Sequence, residues 1–318
     1  MHRTFALLFG LIAVSLASPA GAETLKVAVA QRGFWNSTFV DIAEQQGFFK
    51  EAGLTIDVFY TEGGASTLTP LIAGSVDVAM SNGILGVIAA YSKGAPVRVI
   101  SAEATGAAEA FWYARTESGI KSLKDTSGKT VAFSSPGSST NLVLLQLVKA
   151  AGASPNMVPT GGAPATYTQV MTGQIDVGWS VPPFALKDLQ EKKIAIIARG
   201  SDVAEVQSQT IRVNVANANA LKDKRDAFVR YVKALGRAID WAYSSPDALA
   251  NYAAIAKVPV EQARITRDDF FPKESLQLAE VRSLDVTLRH ALQFKYIATP
   301  LEPKDVVGLF DMLAAEKK

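Results

Sequence analysis

The chain has 318 residues, of which 48% are hydrophobic and 19% charged, a composition typical of a well-packed globular protein with a large core. This composition excludes a largely disordered chain, and the absence of cysteine excludes stabilisation by disulfide bonds. The formal net charge of +2 argues against nucleic acid as a partner.

The first 22 residues have the features of a secretory signal. Arg3 precedes an apolar run over 5–16, and Ala20-Gly21-Ala22 then fits the A-x-A cleavage pattern. The run is too short to span a membrane, so we expect cleavage after Ala22 and a soluble, monomeric product with no membrane insertion. Without cysteine there is no lipobox anchor, which points to a free periplasmic protein; secretion by a Gram-positive cell is the alternative.

Two stretches of the sequence, 50–82 and 149–181, echo each other. Three matched pairs lie 99 positions apart: Ala52-Gly53 with Ala151-Gly152, Gly74 with Gly173, and Asp77-Val78 with Asp176-Val177. A fourth pair, Gly63-Gly64 with Gly161-Gly162, slips by one position. The repeat is too long for a solenoid unit, so it predicts two α/β lobes, each built on a βαβαβ unit.

Buried strands and helices alternate along the first copy. The sequence predicts strands over 25–30, 54–60, 76–80, 97–102 and 110–114. It predicts a helix over 39–50 capped by Asn36 or Ser37, a helix capped by Ser66 and ending near Gly74, and a helix over 84–93 that Gly94 ends.

The second copy follows a polar connector over 121–129. Strands are predicted over 130–133, 177–179 and 194–198, with a helix over 141–151 and a returning segment over 209–215. Later helices include an apolar stripe from Phe228 to Ala242 at helical spacing and segments near 276–294 and 304–316. We therefore expect lobe 1 to contain residues 23–114 and 213–318, lobe 2 to contain 115–212, and two crossing segments to join them.

No catalytic or metal-binding pattern emerges from the sequence. After signal cleavage the one histidine is His290, which is far in sequence from the serine-rich loops that a nucleophilic triad would need. No His, Cys or carboxylate cluster suits zinc, and no phosphate-binding fingerprint occurs. Asp77 and Asp176 reflect the repeat better than acid-base catalysis. We expect a non-enzyme with no catalytic residue, metal or cofactor.

A binding cleft between the two lobes is the remaining hypothesis. Ser138, Ser139 and Thr140 stand at a helix start, where hydroxyl groups can cap the helix or bind an anion. Trp35 and Trp179, one from each lobe, could close on an apolar ligand or could pack in the core. Arg32 and Arg212 are the basic residues nearest the predicted cleft, with exposure to solvent as the alternative.

Three segments together carry a resemblance to a known family: AEQQGFFKEAGLTIDV (43–58), GGAS with LIAGSVDVAMSN (63–82), and KSLKDTSGKTVAFSSPGSST (121–140). The sequence resembles the periplasmic substrate-binding proteins of ABC importers, specifically the nitrate/sulfonate/taurine group related to the thiamine-pyrimidine binding proteins. The resemblance implies the type II periplasmic-binding-protein fold, with two lobes and a closing cleft. It also implies delivery of a ligand to a membrane permease that a cytoplasmic ATPase drives.

The resemblance implies ligand contacts in loops that follow the strands of both lobes. The matching positions here are Gln31 to Asn36 (including Arg32 and Trp35), Ala65-Ser66, Ser81-Asn82, Ser135 to Thr140, and Trp179-Ser180. The aromatic residues among them favour a flat or apolar ligand body, such as an organic sulfonate, a carboxylate or a heterocycle, over inorganic nitrate. A periplasmic sensor is one alternative. A pyrimidine-synthesising enzyme is another, but this chain lacks the histidine and cysteine-rich motif of those fungal enzymes.

Overall fold

The computed structural model describes residues 22–315, and the predicted signal segment therefore lies almost entirely outside the described residues. Ten strands in this part of the chain form two five-stranded sheets. They are β1 (Glu23–Ala30), β2 (Leu54–Thr61), β3 (Val78–Gly83), β4 (Val97–Thr105), β5 (Phe111–Arg115), β6 (Thr130–Phe133), β7 (Asn156–Pro159), β8 (Val177–Ser180), β9 (Ile194–Arg199) and β10 (Thr210–Asn217).

The two sheets have equivalent strand orders. The first sheet has the order β2-β1-β3-β10-β4, and the second has β7-β6-β8-β5-β9. In each sheet the first three strands are parallel and the strand next to them runs antiparallel to both of its neighbours. The echo in the sequence therefore corresponds to a duplicated sheet, as predicted.

Helices cover both sheets. They are α1 (Phe39–Gln45), α2 (Phe48–Glu51), α3 (Gly64–Ile72), α4 (Ile84–Ser92), α5 (Ser139–Ala151), α6 (Ala163–Met171), α7 (Leu186–Gln190), α8 (Ala204–Gln207), α9 (Ala218–Asp223), α10 (Arg225–Ser244), α11 (Ala248–Ala256), α12 (Val260–Ile265) and α13 (Leu284–Gln293). Short 3-10 segments are Asn36–Thr38, Thr116–Ser118, Leu123–Thr126, Gly200–Asp202, Lys273–Ser275, Pro303–Leu309 and Leu313–Ala315, and Thr266–Phe270 is a π-helical turn.

The matched aspartates have the same structural role in the two lobes. Asp77 accepts a hydrogen bond from the backbone N–H of Lys26 at 2.8 Å, and Asp176 accepts one from the backbone N–H of Thr130 at 2.8 Å. Asp77 thereby ties the turn before β3 to β1, and Asp176 ties the turn before β8 to β6. This geometry supports the repeat, rather than catalysis, as the reason for the pair.

The chain passes between the sheets over residues 106–110 and again over 200–209. The predicted strand over 110–114 was assigned to lobe 1, but β5 pairs with β8 and β9 and so lies in the second sheet. β10 begins at Thr210 in the first sheet, a few residues before the predicted return at 213. A turn at Gly106, with φ of 81°, redirects the chain before β5, and the local apolar pattern does not reveal which sheet the strand joins.

Several helix ends also differ from prediction. Gly47 adopts φ of 74° and breaks the expected helix over 39–50 into α1 and α2. Ser66 lies inside α3, which begins at Gly64, and is therefore not its cap. The expected helices near 276–294 and 304–316 shorten to α13 and to 3-10 segments, whereas the predicted stripe from Phe228 to Ala242 is buried along α10.

The residues after β10 pack on the first sheet. α10 packs against α1 and α2, and α13 packs against α4. Asp311 donates its backbone N–H to the carbonyl of Val99 in β4 at 2.9 Å. The C-terminal part of the chain therefore belongs to the first lobe, so that lobe is discontinuous in sequence.

Candidate functional site

A small cavity of about 50 Å³ lies between the two lobes. It sits at the carboxyl ends of the parallel strands of both sheets, where ligand sites of open α/β sheets form. The residues that line it are Ala30, Gln31, Phe34, Glu62, Gly63, Gly64, Ser81, Gly83, Ser134, Ser138, Ser139, Thr140, Trp179, Val181 and Arg212. Both lobes contribute to its wall.

Arg212 is the central charged residue of this wall. Its side chain is only 9% exposed, and Nη2 pairs with the carboxylate of Glu109 in the first crossing segment. Nη1 donates to Ser139 Oγ of the second lobe at 3.3 Å, and Nε lies 3.9 Å from Glu103 Oε1 in β4. Burial acts to lower the pKa of Arg212, but Glu109 and Glu103 together raise it above its ordinary value. The guanidinium therefore stays charged and is already compensated by carboxylates.

Glu103 is buried immediately behind the cavity wall. Its Oε1 accepts hydrogen bonds from Asn36 Nδ2 and from Ser81 Oγ, both at 2.6 Å. Burial raises the pKa of this carboxyl, and the Arg212 charge and the two hydrogen bonds oppose that rise. The sequence analysis missed Glu103 and Glu109. For Glu103 the signal was an acidic residue inside a mostly apolar strand, which requires a buried partner. Glu109 lies in the crossing segment and carries no such signal.

The three hydroxyl groups at the start of α5 have different roles. Ser138 Oγ accepts from the backbone N–H of Asn141 at 3.2 Å and is the N-cap of the helix. Thr140 Oγ1 accepts from the backbone N–H of Ser134 at 2.9 Å and lies 3.0 Å from Ser138 Oγ. Ser139 is the one that reaches Arg212. All three line the cavity, and that at least one of them contacts a ligand stays a prediction.

The two tryptophans do not face each other. Trp179 lines the cavity, with its ring edge-to-face against Phe34 at 6.5 Å between centroids. Trp35 is fully buried in the first lobe, where Nε1 donates to Tyr243 Oη at 2.9 Å and the ring packs edge-to-face on Tyr252. The expected contact of Trp35 with the cleft is therefore wrong, and Phe34 is the ring that this loop places there.

The other predicted residues divide between the cavity wall and positions outside it. Gln31 and Ser81 lie in the wall, and both have positive φ, 53° and 63°, which turns their side chains at the strand ends. Asn36 lies behind the wall, where its side chain donates a hydrogen bond to Glu103. Ser66 is exposed on α3 outside this cavity.

Asn82 and Arg32 also lie away from the cavity. The Asn82 side chain binds the carbonyl of Ala79 and the hydroxyl of Thr67, and the residue borders a neighbouring groove. Arg32 is exposed, and its guanidinium stacks over Tyr60 at 4.6 Å from the ring centroid. We therefore place the cluster around Arg212, not Arg32, in the cleft.

Glycines form the seam along which the lobes meet. The backbone N–H of Gly86 in α4 donates to the carbonyl of Gly137 at 3.2 Å, across the two lobes. A Cβ at Gly83 would lie 2.2 Å from that same carbonyl oxygen, and a Cβ at Gly63 would lie 2.7 Å from Ser134 Oγ. Only glycine allows such close backbone approach. The lobes are therefore in contact around the cavity.

The residues that line this cavity include neither a histidine nor a group of metal-ligating side chains. Among residues 22–315 no cluster of three His, Cys or carboxylate side chains could hold a metal ion. His290 is buried away from the cavity, beside Gln146 and Glu205. No helix within those residues is long and apolar enough to cross a bilayer.

The comparisons with known proteins agree on family and fold. The chain matches the family described as NMT1/THI5 like over residues 35–249. No curated protein sequence matches it. This match covers more than half of the chain, and the protein belongs to the NMT1/THI5-like family.

Solved structures share its architecture at low sequence identity. The alkanesulfonate-binding protein SsuA from Xanthomonas axonopodis pv. citri, bound to MOPS, has a TM-score of 0.77 and 16% identity and covers 92% of this chain and 100% of its own. The periplasmic nitrate-binding protein NrtA from Synechocystis has a TM-score of 0.74 and 14% identity, covering 92% of this chain and 87% of its own. The desulfurization enzyme DSZB has a TM-score of 0.61 and 15% identity, covering 89% and 95%. The chain has the fold of periplasmic binding proteins, and that fold also occurs in an enzyme.

Proposed function

We propose that this NMT1/THI5-like protein is the soluble, periplasmic substrate-binding component of an ABC importer. It captures a small organic ligand between its lobes and presents it to a membrane permease that a cytoplasmic ATPase drives. The lobes move as units about the two crossing segments, so that opening admits the ligand and closing encloses it. Binding involves no chemical conversion of the ligand.

The observation that carries this proposal is a concentration of unpartnered polar atoms at the cavity. Gln31 Oε1, Trp179 Nε1 and Arg212 Nε are buried, have no hydrogen-bond partner within the described chain, and belong to residues of the wall. Nearby, Glu103 Oε2 and Ser135 Oγ are also buried without a hydrogen-bond partner within the described chain. Buried polar groups are nearly always hydrogen-bonded, so a ligand or solvent must satisfy these.

The charge of the wall limits the ligand to a weakly charged head group. One guanidinium faces two carboxylates, so Arg212, Glu103 and Glu109 carry no net positive charge even when Glu103 is protonated. The start of α5 supplies the remaining attraction for an anion through its hydroxyl groups and the helix dipole. This arrangement favours the monoanion of a sulfonate or carboxylate, or a neutral heterocycle, over a dianion such as sulfate.

The dimensions of the cavity bear on the ligand body. Sites for drug-sized ligands usually occupy about 300–1,000 Å³, which is far more than the 50 Å³ between the lobes here. An organic ligand would therefore require side chains of the wall to rearrange around it while the lobes stay in contact along the glycine seam. Its apolar part would rest on Trp179 of the second lobe and Phe34 of the first, whose rings meet edge-to-face.

A thermal-shift screen tests the proposal directly. The panel contains aliphatic and aromatic sulfonates including MOPS, carboxylates, pyrimidines, sulfate, neutral sugars and amino acids. A ligand at about 100 times its dissociation constant adds roughly 2.7 kcal/mol to the stability of the folded state, which raises the melting temperature. If only sugars or neutral amino acids raise it, the ligand class is wrong.

A second experiment separates binding from catalysis. The ligand that the screen returns is incubated with the protein and then analysed chromatographically, and we expect full recovery of the unchanged compound. Conversion of the ligand would instead favour an enzyme, as in DSZB. Trp179→Phe keeps an aromatic ring and removes the unpartnered N–H, so calorimetry should show weaker binding by about 1–3 kcal/mol if the ligand accepts that hydrogen bond.

A further inference from the structure

The C-terminal segment of the first lobe touches the helix that carries the serine loop of the second lobe. Tyr296, just after α13, receives a hydrogen bond on its Oη from the backbone N–H of Gly137 at 2.7 Å and donates to Asn141 Oδ1. On α13 itself, His290 Nε2 lies within hydrogen-bonding distance of the Gln146 amide nitrogen. These contacts join segments that are about 150 residues apart in sequence.

The two contacts run in opposite order along the two segments. The earlier residue of the C-terminal segment, His290, meets the later residue of α5, Gln146, and the later residue, Tyr296, meets Asn141. The segment therefore crosses the first two turns of α5 in an antiparallel sense. His290, Gln146 and Asn141 are each no more than 5% exposed, so solvent competes little for these bonds.

Tyr296 acts on the loop that supplies ligand contacts. Gly137 is fixed to the first lobe at both of its backbone groups: its N–H donates to Tyr296, and its carbonyl accepts from Gly86. Ser138 and Ser139 follow directly, and Ser139 reaches Arg212 across the cavity. The position of the serine loop relative to Arg212 therefore depends on contacts made by the C-terminal segment.

We infer that Tyr296 is a positioning residue: its hydroxyl holds the serine loop and the start of α5 against the first lobe, and so favours the closed arrangement of the lobes. The His290 contact with Gln146 supports the same docking one turn further along α5. Together they add a non-covalent connection between the lobes to the two crossing segments and to the contacts of Gly86 with Gly137 and of Arg212 with Ser139. This inference rests on the proposed opening and closing of the cleft, but it does not depend on which ligand binds.

The test measures the distance between the lobes in the ligand-free protein. The sequence contains no cysteine, so Ser66→Cys on α3 and Thr168→Cys on α6 give two exposed attachment sites for spin labels, one in each lobe. Pulsed electron resonance then gives the populations of closed and open lobes. Tyr296→Phe removes only the hydroxyl, and Tyr91→Phe in α4 is the matched control because the described contacts of Tyr91 stay within the first lobe.

We expect Tyr296→Phe to lower the ratio of closed to open protein by about two- to tenfold, the effect of one net hydrogen bond. Tyr91→Phe should leave the ratio unchanged. In an Asn141→Leu background, which removes the acceptor of the Tyr296 hydroxyl, Tyr296→Phe should have a clearly smaller effect. A tyrosine that merely stabilised its own lobe would lower the melting temperature without moving the label distances.

Two results would overturn the inference. One is a wild-type protein with only the open distance, or an identical distribution in Tyr296→Phe and wild type. The other is an equal shift of the label distances in Tyr296→Phe and in the control Tyr91→Phe, because the effect would then not come from the contact between the lobes. Failure of the ligand screen would contradict the proposed function while leaving these distances interpretable, so the two failures can be distinguished.

Discussion

A single methyl group at Gly83 should hold the lobes apart. In Gly83→Ala the new Cβ would stand 2.2 Å from the carbonyl oxygen of Gly137 and 2.7 Å from the backbone N of Ser139, whereas ordinary contact begins at 3.4 Å. Both neighbours are backbone atoms of the opposite lobe, so no side-chain rotation relieves the overlap. In the variant the two lobes would therefore have to stay about 1 Å further apart at this contact than they are here.

The same substitution suits the open protein. Gly83 has φ of −62° and ψ of 125°, which alanine adopts without strain. Replacing glycine at such a position usually stabilises a protein by about 0.4–1 kcal/mol, because the unfolded chain loses conformational freedom. We therefore expect a normal or slightly raised melting temperature for the ligand-free variant.

Ligand binding should be weakened, because the ligand needs the closed lobes. Overpacking at a close contact costs about 1–3 kcal/mol, which corresponds to binding weaker by about 5- to 150-fold. Calorimetry with the ligand from the thermal-shift screen measures this loss. Gly236→Ala is the matched control, since a Cβ there lies 3.9 Å from Leu278 in the first lobe and meets nothing of the second.

Two outcomes would refute the reasoning. If Gly83→Ala binds the ligand as tightly as wild type, the lobes do not close to the contact seen between Gly83 and Gly137. If the variant instead loses several kcal/mol of stability without ligand, the lobes do not separate in the free protein, and the contact is part of a permanent core.

Three further predictions concern the charged and polar groups. Arg212→Met should destabilise the protein by about 3–5 kcal/mol in urea unfolding, because it leaves Glu103 and Glu109 buried without their partner; a loss below 1 kcal/mol would mean that the carboxylates are protonated or solvated. Ser139→Ala should weaken ligand binding by about 0.5–1.5 kcal/mol in calorimetry, and Lys192→Ala, which is remote from the cavity, should leave binding unchanged. If both variants bind the ligand equally tightly, Ser139 is not part of the site. Burial lowers the pKa of His290 below its ordinary value of 6.5. Below pH 6.5 the unfolded chain therefore binds a proton at this histidine more readily than the folded protein does, and the free energy of unfolding falls as the pH falls. Urea unfolding between pH 7.5 and 5 should therefore show a steeper loss for wild type than for His290→Gln, and parallel profiles would contradict the assignment.

The architecture could be predicted because short stretches of the sequence carry the patterns of apolar residues and glycines that are typical of its strands and turns. Strands such as β1 contain a short apolar run, here Val27 to Ala30. The turns that separate helices from strands carry glycines with left-handed backbones, including Gly74 and Gly173 with φ of 73° and 77°. Repetition of these signals 99 positions apart identified two related lobes. Nine of the ten strands were predicted from residues close together in sequence, whereas β7 and α6 were missed.

The sheet membership of β5 and the details of the site depend on long-range contacts. Trp35 and Phe34 are neighbours in one loop, and which ring enters the core is decided by the turn at Gly33, with φ of 91°, and by Tyr243 and Tyr252 more than 200 residues away. The pairing of Arg212 with Glu109 likewise spans 103 residues. A periodic pattern within a short stretch of sequence carries no information about such a distant pair. The sequence therefore indicated a basic residue near the cleft, but not the carboxylates that neutralise it.

The compensation of Arg212 also bears on the proposed opening and closing of the lobes. Its guanidinium contacts the first lobe through Glu103, the first crossing segment through Glu109, and the second lobe through Ser139. If the cleft opens, the contact of Arg212 with Ser139 breaks. Glu103 lies in the same lobe as Arg212, and Glu109 lies in the crossing segment, so both carboxylates stay beside the guanidinium. The charge therefore remains paired in both states, and opening does not expose an isolated buried cation, which would cost several kcal/mol. A ligand head group that replaces the Ser139 contact needs only to improve on one hydrogen bond from Arg212 to a neutral hydroxyl. This keeps the difference between the open and closed states within the range that a small ligand can shift.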